Sequence, residues 1–138
     1  MDNLNSGTLF VTIELKSNMF AIPANYTLGI VKSTQSTPYA ILPNGSENIK
    51  CIIALDGLLV TIVSIPGTDE NAFTSDSSII VLEYTGQNIG ILTNETHLIT
   101  VSENEISEDK LTDTNFIMHD GKTYIILDIY KLYKDLGI

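Results

Sequence analysis

His97 and His119 are the chain's two histidines, and imidazole is the side chain best suited to moving protons or holding a metal near neutral pH. They fall in different predicted hairpins, with no acidic or cysteine partner at the spacing a metal site requires. His119-Asp120 is more simply a strand end entering a turn. Glu103, Glu105, Glu108 and Asp109 form an acidic run that could offer paired carboxylates for acid and base work. A solvated connection between strands accounts for them better. No serine sits in a Gly-x-Ser-x-Gly elbow, so acyl transfer has no support. Gly86 and Gly90 lie four apart inside a hairpin pattern, with no following helix to turn its N-terminus on a phosphate. The single cysteine, Cys51, stands in the apolar run Ile49-Lys50-Cys51-Ile52-Ile53 and reads as a small buried hydrophobe. None of these residues assembles into catalytic machinery, and no cofactor is implied.

Composition narrows the partners. Seventeen acidic residues against seven basic ones give a formal charge of −10. Long-range forces therefore oppose nucleic acid and anionic lipid. All seven basic residues are lysines, so no guanidinium is present to grip a phosphate through two parallel hydrogen bonds. A hydrophobic content of 43% with 17% charged residues excludes a disordered tail. The N-terminal residues lack a basic start followed by an apolar stretch, and no apolar run is long enough for a membrane span. A cytoplasmic location is expected.

The elements follow from periodicity. Thr8 to Lys16 alternates, with Leu9, Val11, Ile13 and Leu15 on one face, which predicts a half-buried strand. Met19 to Ile22 reads as its returning partner and Leu28 to Lys32 as a third strand. Ser33 to Asn48 is polar and proline-punctuated, and is expected to be mostly loop. Ile49 to Leu55 and Leu58 to Ile65 are β-branched runs joined by Asp56-Gly57, a dipeptide suited to a two-residue hairpin. Beyond the polar connection Thr68 to Ser78, strands are expected at Ile79 to Tyr84, Ile89 to Leu92, His97 to Val101, Phe116 to His119 and Lys122 to Leu127. Asp128 is a plausible N-cap, and Ile129, Leu132, Tyr133 and Leu136 recur at helical spacing before Gly137. Ten short strands, five on each side of the connection, are too many for one flat sheet. Two small packed β-barrels with a closing helix are the economical all-β answer, with subdomains at about 8–67 and 77–128 and the helix at about 128–136.

The order of these pieces resembles the CheW-like adaptor family of bacterial chemotaxis. The resemblance is carried by Phe10-Val11-Thr12-Ile13-Glu14-Leu15, Phe20-Ala21-Ile22-Pro23, Thr37-Pro38, Ile52-Ile53-Ala54-Leu55-Asp56-Gly57, Val60-Thr61-Ile62-Val63, Gly90-Ile91-Leu92, and the run from Asp120 to Leu132. It implies two five-stranded, SH3-like barrels around a shared core. It also implies a non-enzymatic scaffold linking methyl-accepting receptors to a CheA-type histidine kinase, whose regulatory domain docks barrel to barrel. The contact residues it suggests are Thr27, Leu28, Gly29 and Ile30 together with the hairpin Ala54, Leu55, Asp56, Gly57 and Leu58. A docking surface is expected at Ile89, Gly90, Ile91 and Leu92.

The chain departs from the family pattern at that hairpin. Where the family has Gly-x-x-Asn-Leu-Arg-Gly, Cys51, Ala54 and Asp56 replace the glycine, asparagine and arginine. Gly29 stands at a usual glutamate, and Ser64 and Asn94 at usual aspartates. A reversed charge at an interface can cost several kcal/mol against the original partner. Two readings follow: an adaptor whose partners changed in step, or one that docks to the kinase without gripping a receptor in the usual way. A rival from another class is a small enzyme or ligand carrier with His97, His119 and Asp120 converging in a cleft between the barrels.

Overall fold

The computed structural model describes residues 7–15, 18–32, 37–41, 49–65, 78–93 and 96–137. Among the described residues, twelve strands form two six-stranded sheets. The first contains β1 (Thr8–Leu15), β2 (Asn18–Pro23), β9 (Thr96–Val101), β10 (Ile106–Asp109), β11 (Thr114–His119) and β12 (Lys122–Ile126), in the order β10-β11-β12-β2-β1-β9. The second contains β3 (Thr27–Lys32), β4 (Thr37–Ile41), β5 (Ile49–Leu55), β6 (Leu58–Val63), β7 (Ser78–Tyr84) and β8 (Gln87–Thr93), in the order β3-β7-β8-β6-β5-β4. The helix α1 (Ile129–Leu136) ends the chain.

Chain length forces both sheets to curl. Strands lie about 4.8 Å apart, so a flat six-stranded sheet would hold its edges about 24 Å apart. Edge strands β9 and β10 are joined only by residues 102–105. Five Cα steps reach at most about 19 Å. Three of those residues, Glu103–Glu105, form a 3-10 turn, which is far shorter than extended chain. The edges must approach, and the sheet becomes a barrel. The same arithmetic holds for the edges β3 and β4 of the second sheet, which only residues 33–36 separate.

Each barrel has its own filling, and a third cluster lies between them. Phe10, Ala21, Val101, Ile117 and Tyr124 fill the first barrel. Cys51, Ile53, Val60, Ile62, Ile79 and Val81 fill the second. The shared core takes Val11, Ile13, Phe20 and Ile22 from one sheet and Val63, Ile80, Leu82, Ile89 and Ile91 from the other, with Ile129, Leu132, Tyr133 and Leu136 of α1 packed in. Those four helical residues are the ones whose spacing predicted the helix. Asp128 caps it, its Oδ1 accepting from the Lys131 N–H at 3.1 Å, and Gly137 closes it at φ 75°. Tyr133 donates to the Gln87 carbonyl at 3.0 Å and packs its ring tilted against Tyr84 at 5.2 Å between centroids, tying the helix to the β7–β8 hairpin. Burial, and secondarily the charge of Glu83, raises the Tyr133 hydroxyl pKa well above the ordinary tyrosine value.

Four expectations are corrected. First, β1 is not half-buried. Phe10 and Thr12 are buried as well as Val11 and Ile13, because one face fills the first barrel and the other faces the shared core, while Leu9 is exposed. The Thr12 hydroxyl donates to the His97 carbonyl at 3.3 Å, which satisfies it. Second, Thr37–Ile41 is a strand inside the predicted loop. A proline demotes a central strand, but β4 is an edge with a register shift beside Pro38, where a missing donor costs little. Third, the acidic run is a connection only in its first half, where Glu103 and Glu105 lie in the 3-10 turn. Ile106 packs against the first barrel's core and carries Ser107, Glu108 and Asp109 into edge strand β10. These two edge strands raise the predicted five strands per barrel to six. Fourth, the barrels do not divide the chain near Thr68: β1 and β2 join β9 to β12, while β3 to β8 form the other sheet. The connection 66–77 itself, and Asn94, lie outside the described residues.

Candidate protein-binding surface

Three hairpins turn on the same two-residue geometry. Asp56 and Gly57 take φ 49° and 82°, Thr85 and Gly86 51° and 82°, and Asp120 and Gly121 51° and 75°. Positive φ at both central positions matches the right-handed twist of the flanking strands. Asp56 and Gly57 are thus exposed at the tip of β5–β6, as the dipeptide predicted. Behind them Ala54 and Leu55 are half-buried, and Leu55 packs against the second barrel's core. Leu58 and Leu59, which open β6 just after the turn, are exposed.

The segment Thr27–Ile30 lies on edge strand β3. Leu28, 57% exposed, occupies a bulge, and Ile30 is 40% exposed although it pairs with the buried Ile80. A Cβ built on Gly29 meets nothing within 4 Å, so a larger side chain fits there and glycine is not demanded by space. The Thr27 hydroxyl is buried without a hydrogen-bond partner among the described residues. Strands β3 and β5 are separated by three others in the sheet order, and curling brings them toward each other across β4. One barrel therefore carries both candidate segments.

The third candidate segment is not surface. Ile89 and Ile91 are 0% and 1% exposed in the shared core, and Gly90 is buried against Ile62, Ile79 and Val60. Leu92 packs on the second barrel's core. The expectation of docking at Ile89 to Leu92 is withdrawn, because β8 is central and both its faces are covered. Exposed apolar residues that the sequence reading missed include Leu9, Leu59 and Leu98. Alternation cannot reveal them, since a leucine at an edge looks the same in sequence as one inside. Ser64, one of the departures from the family pattern, is buried.

The acid and base candidates resolve differently. His119 Nδ1 lies 2.9 Å from Glu105 Oε2, and Glu105 Oε1 accepts from the Ser102 backbone N–H at 3.0 Å. Glu105 therefore holds the 3-10 turn that joins the two edges of the first barrel and ties it to β11. Its carboxyl pKa is lowered, first by the Ser102 backbone hydrogen bond and then by the one to His119. Asp120 Oδ2 is 3.8 Å from His119 Nε2. His97 is exposed on β9, and the side-chain partners of His119 are Glu105 and Asp120, so the two imidazoles do not contact each other. No group of three His, Cys, Asp or Glu side chains among the described residues is placed to hold a metal. Burial raises the Cys51 thiol pKa, as expected of an inert core cysteine.

The Glu105 carboxylate gives stability a pH dependence. Because its folded pKa lies below the ordinary value of 4.5, its contribution is complete above that pH and is lost as the pH falls through the lower folded value. Glu105→Gln is expected to unfold at lower urea than the parent at pH 6, with the gap narrowing steadily toward pH 3. A gap independent of pH would show that the carboxylate's charge is not what closes the turn.

A family model for the CheW-like domain matches residues 9–136. The chain belongs to the CheW-like domain family. In fold it is similar to the crystal structure of the scaffolding protein TtCheW from Thermoanaerobacter tengcongensis, with a TM-score of 0.79 at 22% identity over 93% of each chain. No curated protein matches it. On this fold the chain presents the Asp56 tip, open space at Gly29, and exposed Leu28, Leu58 and Leu59.

Proposed function

We propose that the protein is a non-enzymatic adaptor of bacterial chemosensory signalling that holds a CheA-type histidine kinase through its regulatory domain and links it to methyl-accepting receptors by protein contacts alone. The observation that carries this reading is the CheW-like match across nearly the whole of a two-barrel fold. The adaptor acts in the cytoplasm beside receptor arrays. Its receptor-facing candidates are the hairpin Ala54 to Leu58 and the edge segment Thr27 to Ile30. Asp56 stands where the family pattern has arginine, so the receptor segment opposite it carries basic rather than acidic charge.

Affinity capture of the tagged chain from its source cells, with mass spectrometry of what accompanies it, tests the reading. Recovery of a CheA-type kinase with receptors supports it. Kinase without receptors would mean that the altered hairpin has given up receptor binding. Recovery of neither, under conditions that capture a control adaptor, would overturn the signalling role. Asp56→Arg is expected to weaken binding to a recovered receptor by about tenfold or more while leaving the kinase bound, consistent with the cost of a reversed interfacial charge. Unchanged receptor affinity would remove the hairpin from the contact.

A further inference from the structure

A cavity of about 300 Å³ opens where α1 meets the ends of β11 and β12. It is remote in sequence from both candidate segments, and nothing in the adaptor reading uses it. Buried Ile65, Leu127 and Leu132 line it. Exposed Asp113, Asp128, Lys131 and Asp135 line it too, three carboxylates against one ammonium. Asp128 is already engaged in capping the helix. The carboxylates of Asp113 and Asp135 make no hydrogen bond or ion pair with any described residue.

From this arrangement we infer that the cavity receives a long cationic side chain, lysine or arginine, from a partner protein. The volume is at the lower limit for small-ligand pockets, which suits one extended side chain rather than a large cofactor. Lysine and arginine lay their methylene stems along apolar surface while the charged head stays near water, and the cavity offers that pairing of apolar wall and acidic rim. The chain's charge of −10 favours a basic partner and repels an anionic one. Orientation follows from the helix. Its N-terminal end carries partial positive charge and disfavours a cation beside Asp128, whereas Asp135 lies in the last turn, at the negative end. The head group therefore sits toward Asp113 and Asp135.

The test is a titration of the full chain, labelled at isoleucine and leucine methyls, with the peptide acetyl-Gly-Arg-Gly-amide. The control is the same peptide carrying citrulline, which keeps the shape of arginine without its charge. The expected result is saturable shifts of the Ile65, Leu127 and Leu132 methyl resonances, at least about fivefold weaker binding of the citrulline peptide, and a similar loss in the D113N/D135N variant. Both substitutions are at exposed positions, and an unchanged methyl spectrum confirms the fold. Equal response to the two peptides, no response at these methyls, or undiminished binding by the double variant would overturn the inference. So would binding of free butylguanidinium but not of the peptide, since the site would then take a small free cation rather than a protein side chain. None of these outcomes depends on the chemosensory role.

Discussion

Ile80→Ala is expected to lower the free energy of unfolding by about 2–5 kcal/mol, the range for truncating a large aliphatic side chain in a packed core. Ile80 is 0% exposed and sits on β7 between Ile30 of β3 and Ile91 of β8, on the face that meets the other barrel. Removing its three outer carbons leaves a void that neither barrel can close alone, because each wall is a curled sheet. Since the cluster includes residues of both sheets and of α1, the loss should appear as one urea transition moved to lower concentration. Circular dichroism and tyrosine fluorescence should report the same midpoint. A loss below about 1 kcal/mol, or two separate transitions, would show that the barrels do not share this core.

Gly90→Val is expected to cost about 1–3 kcal/mol by overpacking. A Cβ at this position would lie 2.8 Å from Ile62 Cδ1, 2.8 Å from Ile79 Cγ2 and 3.1 Å from Val60 Cγ1. The Ile62 contact is with the end of a side chain and can move. The other two are branch methyls held beside their own backbones, and they cannot move without shifting β6 or β7. The same variant separates packing from recognition at β8. Partner binding should fall only in proportion to the unfolded fraction. Parent-like stability with selective loss of a partner would restore β8 as a docking surface.

The regular parts of the fold were legible in sequence because local patterns carry them. The Asp56-Gly57 and Asp120-Gly121 turns, the runs around them and the four buried positions of α1 all follow from spacing within a few residues. What sequence could not show is pairing. Strand β4 is a strand because β5 lies beside it, and β10 because Ile106 reaches a core built by distant residues. The partition into barrels was misread for the same reason, since a polar connection marks a break in the chain and not a break in a sheet. For the candidate site, the hairpin tip was readable because a turn must be at the surface. Ile89 to Leu92 was misplaced because exposure depends on neighbouring strands. The Glu105–His119 contact joins a 3-10 turn to a strand end fourteen residues on and left no spacing signal.

The division of strands between the barrels also sets an order in time. Residues 27–93 contain every strand of the second barrel, whereas the first needs β1 and β2 from the start of the chain and β9 to β12 from its end. During synthesis the second barrel can therefore mature while its neighbour still lacks most of its strands, and β1 and β2 must wait on a formed surface until β9 to β12 emerge. Pulse-labelled hydrogen exchange during refolding should show this as protection of the Ile62 and Val81 amides before those of Val11 and Ile22. Simultaneous protection would mean that the shared core, rather than either barrel, nucleates the fold. The later barrel would then be the one exposed to quality control in the cell, and substitutions in β1 would lower the protein's abundance more than equally destabilising ones in β7.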